Sequence, residues 1–247
     1  MLPHPLRFTL IRERSQSTPE IDRAWQVATA RNPRLFDGDF LSVERFDPPG
    51  AASPGHVVCR VERYRRLAVG PALGVPVALL ALTGIVTTRD QHGRAHALMG
   101  LRGAQTRMYG GLWEFAPAGG VDVPAPGVSL DDALLEAVMR QELEEEVGLD
   151  GRLLESITPR LVAFNREACS YDIALFAEIK DGIDALRDHA AHRTWEYERV
   201  EWVPIEHLDG ARGACPPDAL PRPMVPQDEP MRAELVRLWR AESGAAP

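Results

Sequence analysis

The chain is 247 residues long, 45% hydrophobic and 26% charged, values ordinary for a globular protein built as one large domain or two smaller ones. Its formal charge is −8 at neutral pH, so the protein as a whole repels nucleic acid, and any polyanionic ligand must be met by local arginines or by a metal ion. The three cysteines, Cys59, Cys169 and Cys215, lie far apart without CxxC spacing, which argues against both a disulfide framework and a cysteine zinc site.

The opening MLPHPLRFTLIRERS alternates polar and apolar residues and has no apolar centre of the signal-peptide kind, so a cytoplasmic protein is expected. Leu6–Glu13 reads as a strand. Thr18 offers an N-cap with Pro19 at the first helical position, and Ile21, Ala24, Trp25 and Ala28 follow at helical spacing up to the stop Asn32-Pro33. Phe40–Phe46 and His56–Tyr64 alternate as strands on either side of a Pro/Gly/Ser loop, Pro48–Gly55. Residues 1–72 are therefore expected to form a small N-terminal α+β unit.

From Val75 the pattern changes. Val75–Thr88 is an apolar strand-like run, too short and too interrupted by proline to span a bilayer. Asp90–Arg94 is a turn, Ala95–Leu101 a strand, and Leu112–Phe115 a short strand before Pro117-Ala118-Gly119-Gly120. Beyond the helix discussed next come strands at Arg160–Phe164, Ser170–Ile179 and Glu198–Val203, with a helix beginning in Pro204–Leu208. This order predicts an α+β fold in which helices flank a mixed sheet, over residues 73–210. Residues 211–247 form a proline-rich arm, Ala211–Pro230, and a helix, Met231–Ala241. The apolar positions Leu235, Leu238 and Trp239 of that helix would dock on the body or on a second copy of the chain.

The most informative stretch runs from Gly127 to Leu149. Ser129 and Asp132 resemble a capping box that starts a helix near Leu130, and Gly148 sits where a C′ glycine would end it. Glu142, Glu145 and Glu146 fall at i, i+3 and i+4, so three carboxylates share one helix face. Like charges at that spacing destabilise a bare helix by roughly 0.2–0.5 kcal/mol per pair. A hard divalent cation reverses that penalty, because Mg²⁺ prefers carboxylate oxygens and retains water for a phosphate ligand. A solvated acidic helix face is the bland alternative.

These residues resemble the box of the Nudix hydrolases, G-x5-E-x7-R-E-U-x-E-E-x-G-U with U aliphatic. Glu142, Leu143, Glu145, Glu146, Gly148 and Leu149 match, while Ala133 stands for the first Glu and Gln141 for the Arg. Gly127 fits the opening glycine by spacing. Gly120 fits it by context, after Leu112-Trp113-Glu114-Phe115 and Pro117-Ala-Gly-Gly, and is the preferred register although it lengthens the loop. The resemblance covers roughly Val75–Leu208 and implies a Nudix α/β/α sandwich. A finer similarity to the UDP-sugar-hydrolysing branch rests on Trp25, the Asn32–Gly38 turn, Tyr64 and Leu73-Gly-Val75.

The resemblance implies hydrolysis of a nucleoside diphosphate linked to another moiety, a UDP-glucose-like nucleotide sugar first and ADP-ribose next, with no nucleic acid or membrane partner. Glu142, Glu145, Glu146 and the carbonyl of Gly119 would hold Mg²⁺, or Mn²⁺ in its place. The base would be one of those glutamates or a carboxylate on the loop before the last strand, where Glu196 and Glu198 are the candidates and Glu198 is taken. Arg102, Trp113, Gly120, Arg166 and Tyr64 would meet the substrate; for the two arginines a salt bridge is the competing role, and for Trp113 and Tyr64 packing is. Two other readings stand beside this one: a nucleotide-binding or sensor module with impaired catalysis, suggested by Ala133 and Gln141, and a scaffold that associates through Trp239.

Overall fold

The computed structural model describes residues 6–50, 53–106, 108–183, 196–209 and 224–243. The chain divides into two compact units whose segments interleave in sequence. The proline-rich arm falls mostly in residues outside this set.

The first unit comprises Met1–Leu82, Gly120–Leu135 and Phe164–Ile173. Strand β1 (Arg7–Ile11) lies parallel to β3 (His56–Arg63), which pairs antiparallel with β2 (Asp39–Asp47). Ser42 of β2 then meets Leu79 at the start of β4 (Leu79–Arg89). Alternation along β3 sends Val57, Cys59 and Val61 inward, where each is at least nine-tenths buried. Helix α1 (Pro19–Arg31) begins as its sequence predicts, with Thr18 Oγ1 accepting the N–H of Ile21 at 3.4 Å and Ile21 fully buried. Tyr64 is not the last residue of a strand: it opens a short helix, α2 (Tyr64–Val69), and sets its ring edge-on to Trp25 at 6.3 Å. Arg65 fixes that corner by ion pairs to Asp37 (2.6 Å) and Asp22 (2.9 Å). The expected start of β4 at Val75 is delayed by a 3-10 turn at Pro71–Leu73 and by Gly74 in the left-handed conformation.

The second unit comprises Thr83–Gly119, Glu136–Ala163 and Ala174–Pro247. Here β4 pairs antiparallel with β5 (Ala95–Arg102), closed by a turn in which Asp90 Oδ1 accepts the N–H groups of His92 and Arg94. Strand β5 pairs antiparallel with β6 (Trp113–Phe115) on part of its length and with β10 (Tyr197–Pro204) along most of it. The short β7 (Ala118–Gly120) pairs with β4; β8 (Leu154–Asn165) and β9 (Ser170–Ile179) complete the strands, β8 starting six residues earlier than expected. The sheet is mixed and the fold α+β.

Helix α3 (Asp132–Glu142) continues as a π-helical turn, Leu143–Val147, and stops at Gly148 with φ 79°. Its cap differs from the expected one: Asp131, not Ser129, accepts the N–H of Leu134 at 3.1 Å, so the helix starts two residues later. After α4 (Ile205–Leu208), α5 (Asp228–Ser243) buries Met231 and Leu235 in the core of its own unit, with Trp113, Phe115, Ile205 and Leu208. Each such aliphatic burial stabilises by about 1.5–3 kcal/mol. Arg240 of α5 pairs bidentately with the buried Asp209. Of the two docking surfaces expected for this helix, it uses the body. Among the described residues no helix is long and apolar enough to cross a membrane.

Candidate active site

The site is built in the second unit, where the end of α3 meets the segment after β6. Leu143 and Val147 are fully buried and anchor the π-helical turn. A π turn holds more residues than an α turn, so positions three apart on it no longer share a face, and the glutamates separate accordingly. Glu146 is driven inward to 4% exposure, and its Oε2 accepts the backbone N–H of Ala118 at 3.1 Å. Glu145 stays exposed, and Gln141 Nε2 donates to its Oε1 at 2.8 Å. Glu142 is half-buried against Gly119: a Cβ on that glycine would stand 3.1 Å from Glu142 Oε1. The third glutamate of the run, Glu144, points elsewhere and accepts the N–H of Gly151 at 3.0 Å.

A fourth carboxylate joins Glu146. Glu196, on the loop before β10, hydrogen-bonds with it, and the loop is pinned by Gly103 N–H donating to the Glu196 carbonyl at 2.7 Å. Loss of water drives Glu146 far above the usual carboxylate range, the bond and charge of Glu196 and the charge of Glu142 push it the same way, and the Ala118 N–H opposes them weakly. Without a cation beside it, the Glu146 carboxyl therefore favours its neutral form. Glu198 is turned aside and accepts the N–H of Ala104 at 3.0 Å.

Among the described residues no three His, Cys, Asp or Glu side chains converge closely enough to hold a metal ion as they stand. The donor chemistry nonetheless fits a hard dication: the buried Glu146 has the half-buried Glu142 and Glu196 beside it, and a cation would offset the negative charge they bring together. Glu145 is the member of the expected set that stands apart from this crowd.

The wall beside the cluster is a second buried network. Arg102 Nη1 pairs with Glu114, which is 1% exposed, while Arg102 Nε donates to the Met108 carbonyl at 3.1 Å. Tyr197, fully buried, donates its hydroxyl to the same carboxylate at 3.0 Å. The ring needs Gly100 behind it, where a Cβ would come within 2.5 Å of its carbons. Arg102 is thus held in an ion pair beside the cluster. Trp113 is 8% exposed, with the Arg199 guanidinium over its ring at 5.1 Å.

Gly120 ends β7, and Arg166 and Tyr64 belong to the first unit. Arg166 is exposed on the turn between β8 and β9, and Tyr64 is engaged with Trp25. Tyr197 escaped the sequence reading because a lone tyrosine beside charged residues gives no signal of burial; Glu114 was visible only as part of the W-E-F strand.

The family model described as NUDIX domain matches residues 80–232, more than half of the chain. No curated protein sequence matches it. Among solved structures, a mutT/nudix family protein from Listeria innocua is 21% identical, with 68% of this chain and 98% of that one covered and a TM-score of 0.46. A C. elegans Ap4A hydrolase in a binary complex is 14% identical, covering 68% and 100%, with a TM-score of 0.44. The NUDIX domain of Shewanella oneidensis NrtR, complexed with ADP ribose, is 16% identical, covering 72% and 97%, with a TM-score of 0.43.

Proposed function

We propose, for a chain that belongs to the NUDIX domain family and is a Nudix-type pyrophosphohydrolase, that it cleaves the phosphoanhydride of a nucleotide sugar in the cytoplasm. A UDP-glucose-like substrate comes first and ADP-ribose next, and the products are a nucleoside monophosphate and a sugar phosphate. The observation that carries the reading is Glu146, a buried carboxyl bonded to Glu196 and to the Ala118 N–H with Glu142 beside it. So much acidity in one dry place is costly unless a cation is meant to occupy it.

Glu142, Glu145 and Glu146, with the Gly119 carbonyl, would hold Mg²⁺ or Mn²⁺. Bound there, the ion supplies positive charge that offsets charge developing on the phosphates. The chain's own part is proton transfer and positioning. Glu196 adjoins Glu146, whereas Glu198 is occupied by a backbone N–H, so Glu196 becomes the proposed base. Its carboxylate takes the proton of the attacking water as the new P–O bond forms, and the bridging P–O bond breaks with its electron pair on the leaving phosphate. Trp113, in the same unit as the glutamates, would shape the wall beside them, and residues 73–210 would be the catalytic domain.

A panel of UDP-sugars, ADP-ribose, NADH, coenzyme A and diadenosine polyphosphates, assayed with Mg²⁺, tests the substrate class. Glu146→Gln should lower turnover on the best substrate by about 100-fold or more, because it removes charge needed in the transition state; near-wild-type turnover rejects the mechanism. One observation favours the second reading, a nucleotide-binding module with weak catalysis: Glu145 is held at the surface by Gln141, the residue standing where the family has arginine. Tight nucleotide binding without phosphate-ester release from any member of the panel would favour it.

A further inference from the structure

The far end of the second unit holds a cavity of about 470 Å³ that the proposed reaction does not use. It lies under α5, beside Thr87 and Ala95 at the closed end of the β4–β5 hairpin and Ile205 at the end of β10. The glutamates sit toward the opposite ends of these strands, near Arg102 and Tyr197. Seven steps of strand separate Ala95 from Arg102, roughly 23 Å at about 3.3 Å per residue. The volume falls within the range of small-molecule sites, about 300–1,000 Å³.

Three features of the lining point to a ligand. Arg160 presents a guanidinium whose Nε is buried and has no hydrogen-bond partner, and a buried donor left unmade is one that a ligand acceptor would satisfy. Ser156, which also lines the cavity, holds a left-handed backbone with φ 52° although it is not a glycine; such conformations gather at ligand clamps. Trp239 and Phe176, partly buried and packed against the core, also line the cavity. Of the acidic groups on the lining, Glu242 is neutralised by Arg89 at 3.2 Å and Glu178 is exposed.

We infer that this cavity is a second ligand site, taking a small organic anion: a flat apolar ring that carries one carboxylate or one phosphate. The ring lies against Trp239 and Phe176, and the anion meets the guanidinium of Arg160 and the hydroxyl of Ser156. Guanidinium forks suit both anions, so phenylacetate and phenyl phosphate serve as the two probes.

Titration calorimetry of the whole chain with each probe, without metal, reads the affinity and separates carboxylate from phosphate ligands. Saturable one-to-one binding of at least one probe is expected, weakened tenfold or more by Arg160→Met. It should be unchanged by Glu146→Gln, which distinguishes this site from the glutamate cluster. Basal hydrolysis should survive Arg160→Met, so failure of the proposed reaction and failure of this site are separate results. Arg160→Lys keeps the charge without the Nε donor and should weaken binding about threefold, even if the methionine variant folds poorly. No saturable binding of either probe, binding lost in Glu146→Gln, or binding indifferent to both Arg160 variants would each overturn the assignment.

Discussion

Tyr197 donates its hydroxyl to Glu114 Oε1 at 3.0 Å where neither side chain is more than 1% exposed. The same carboxylate holds Arg102, so Glu114 is an acceptor shared between a phenol and a guanidinium. Its burial is tolerated because both partners are present. Removing them one at a time should therefore have unequal effects. Tyr197→Phe leaves the ion pair and takes one hydrogen bond to its carboxylate, costing about 1.5–3 kcal/mol in urea unfolding. Glu114→Ala strands Arg102 and should cost about 3–5 kcal/mol. Equal losses in the two variants would mean that the ion pair contributes nothing beyond the phenol bond.

Gly119 makes a more local prediction. Its backbone lies so close to Glu142 that a methyl group would sit 3.1 Å from Oε1, tighter than an ordinary van der Waals contact. Gly119→Ala should displace the Glu142 carboxylate, lower kcat by about tenfold and raise the Mg²⁺ concentration needed for half-activation, while the unfolding midpoint moves little. A kcat and metal dependence like the wild type would show that Glu142 is not a ligand.

The elements that were legible in sequence are those whose reason is local. Thr18-Pro19 caps α1, the Asp90–Arg94 turn closes on the Asp90 carboxylate, and Gly148 ends the glutamate helix with a positive φ, each by chemistry within a few residues. Reading α3 as a regular helix through Val147 placed three glutamates on one face. The π-helical turn that follows Glu142 is fixed by burial of Leu143 and Val147, a tertiary demand that helical spacing does not encode. Glu196 and Glu198 stood together as carboxylates of the loop before the last strand, and tertiary contacts part them: Glu196 bonds to Glu146 and Glu198 accepts the Ala104 N–H. Strand β8 begins six residues before the expected Arg160 and carries Pro159 within it; among the described residues it pairs with β9 alone, and an edge strand tolerates proline.

Asp172, in the first unit, links stability to pH. It is 5% exposed, and burial raises its pKa to about 6 against the opposing bond from Ser170 Oγ at 2.6 Å. The unfolded chain would titrate near 3.8. The folded state therefore binds the proton more tightly, and stability from this group is complete below about pH 4 and lost as pH rises through about 6. A shift of about two pH units corresponds to at most about 3 kcal/mol. Asp172→Asn removes the titration, so the stability of the variant relative to wild type should rise between pH 4 and pH 7 in urea titrations. A difference that stays constant with pH would place the ordinary carboxylate value at this site.

The contact between Gln141 and Glu145 yields the last prediction. Gln141 Nε2 holds Glu145 at the surface by one amide-to-carboxylate hydrogen bond of 2.8 Å, worth about 1.5–3 kcal/mol at most, small beside the attraction of a carboxylate to a dication. Metal should therefore be able to draw Glu145 inward at little cost, and Gln141→Ala should lower the Mg²⁺ concentration for half-activation by a few-fold with kcat nearly unchanged. Glu145→Gln should then behave as a ligand variant, losing activity and metal response together. If Gln141→Ala leaves metal dependence untouched while Glu145→Gln retains most of its turnover, Glu145 belongs to the surface and the working set is Glu142, Glu146 and Glu196.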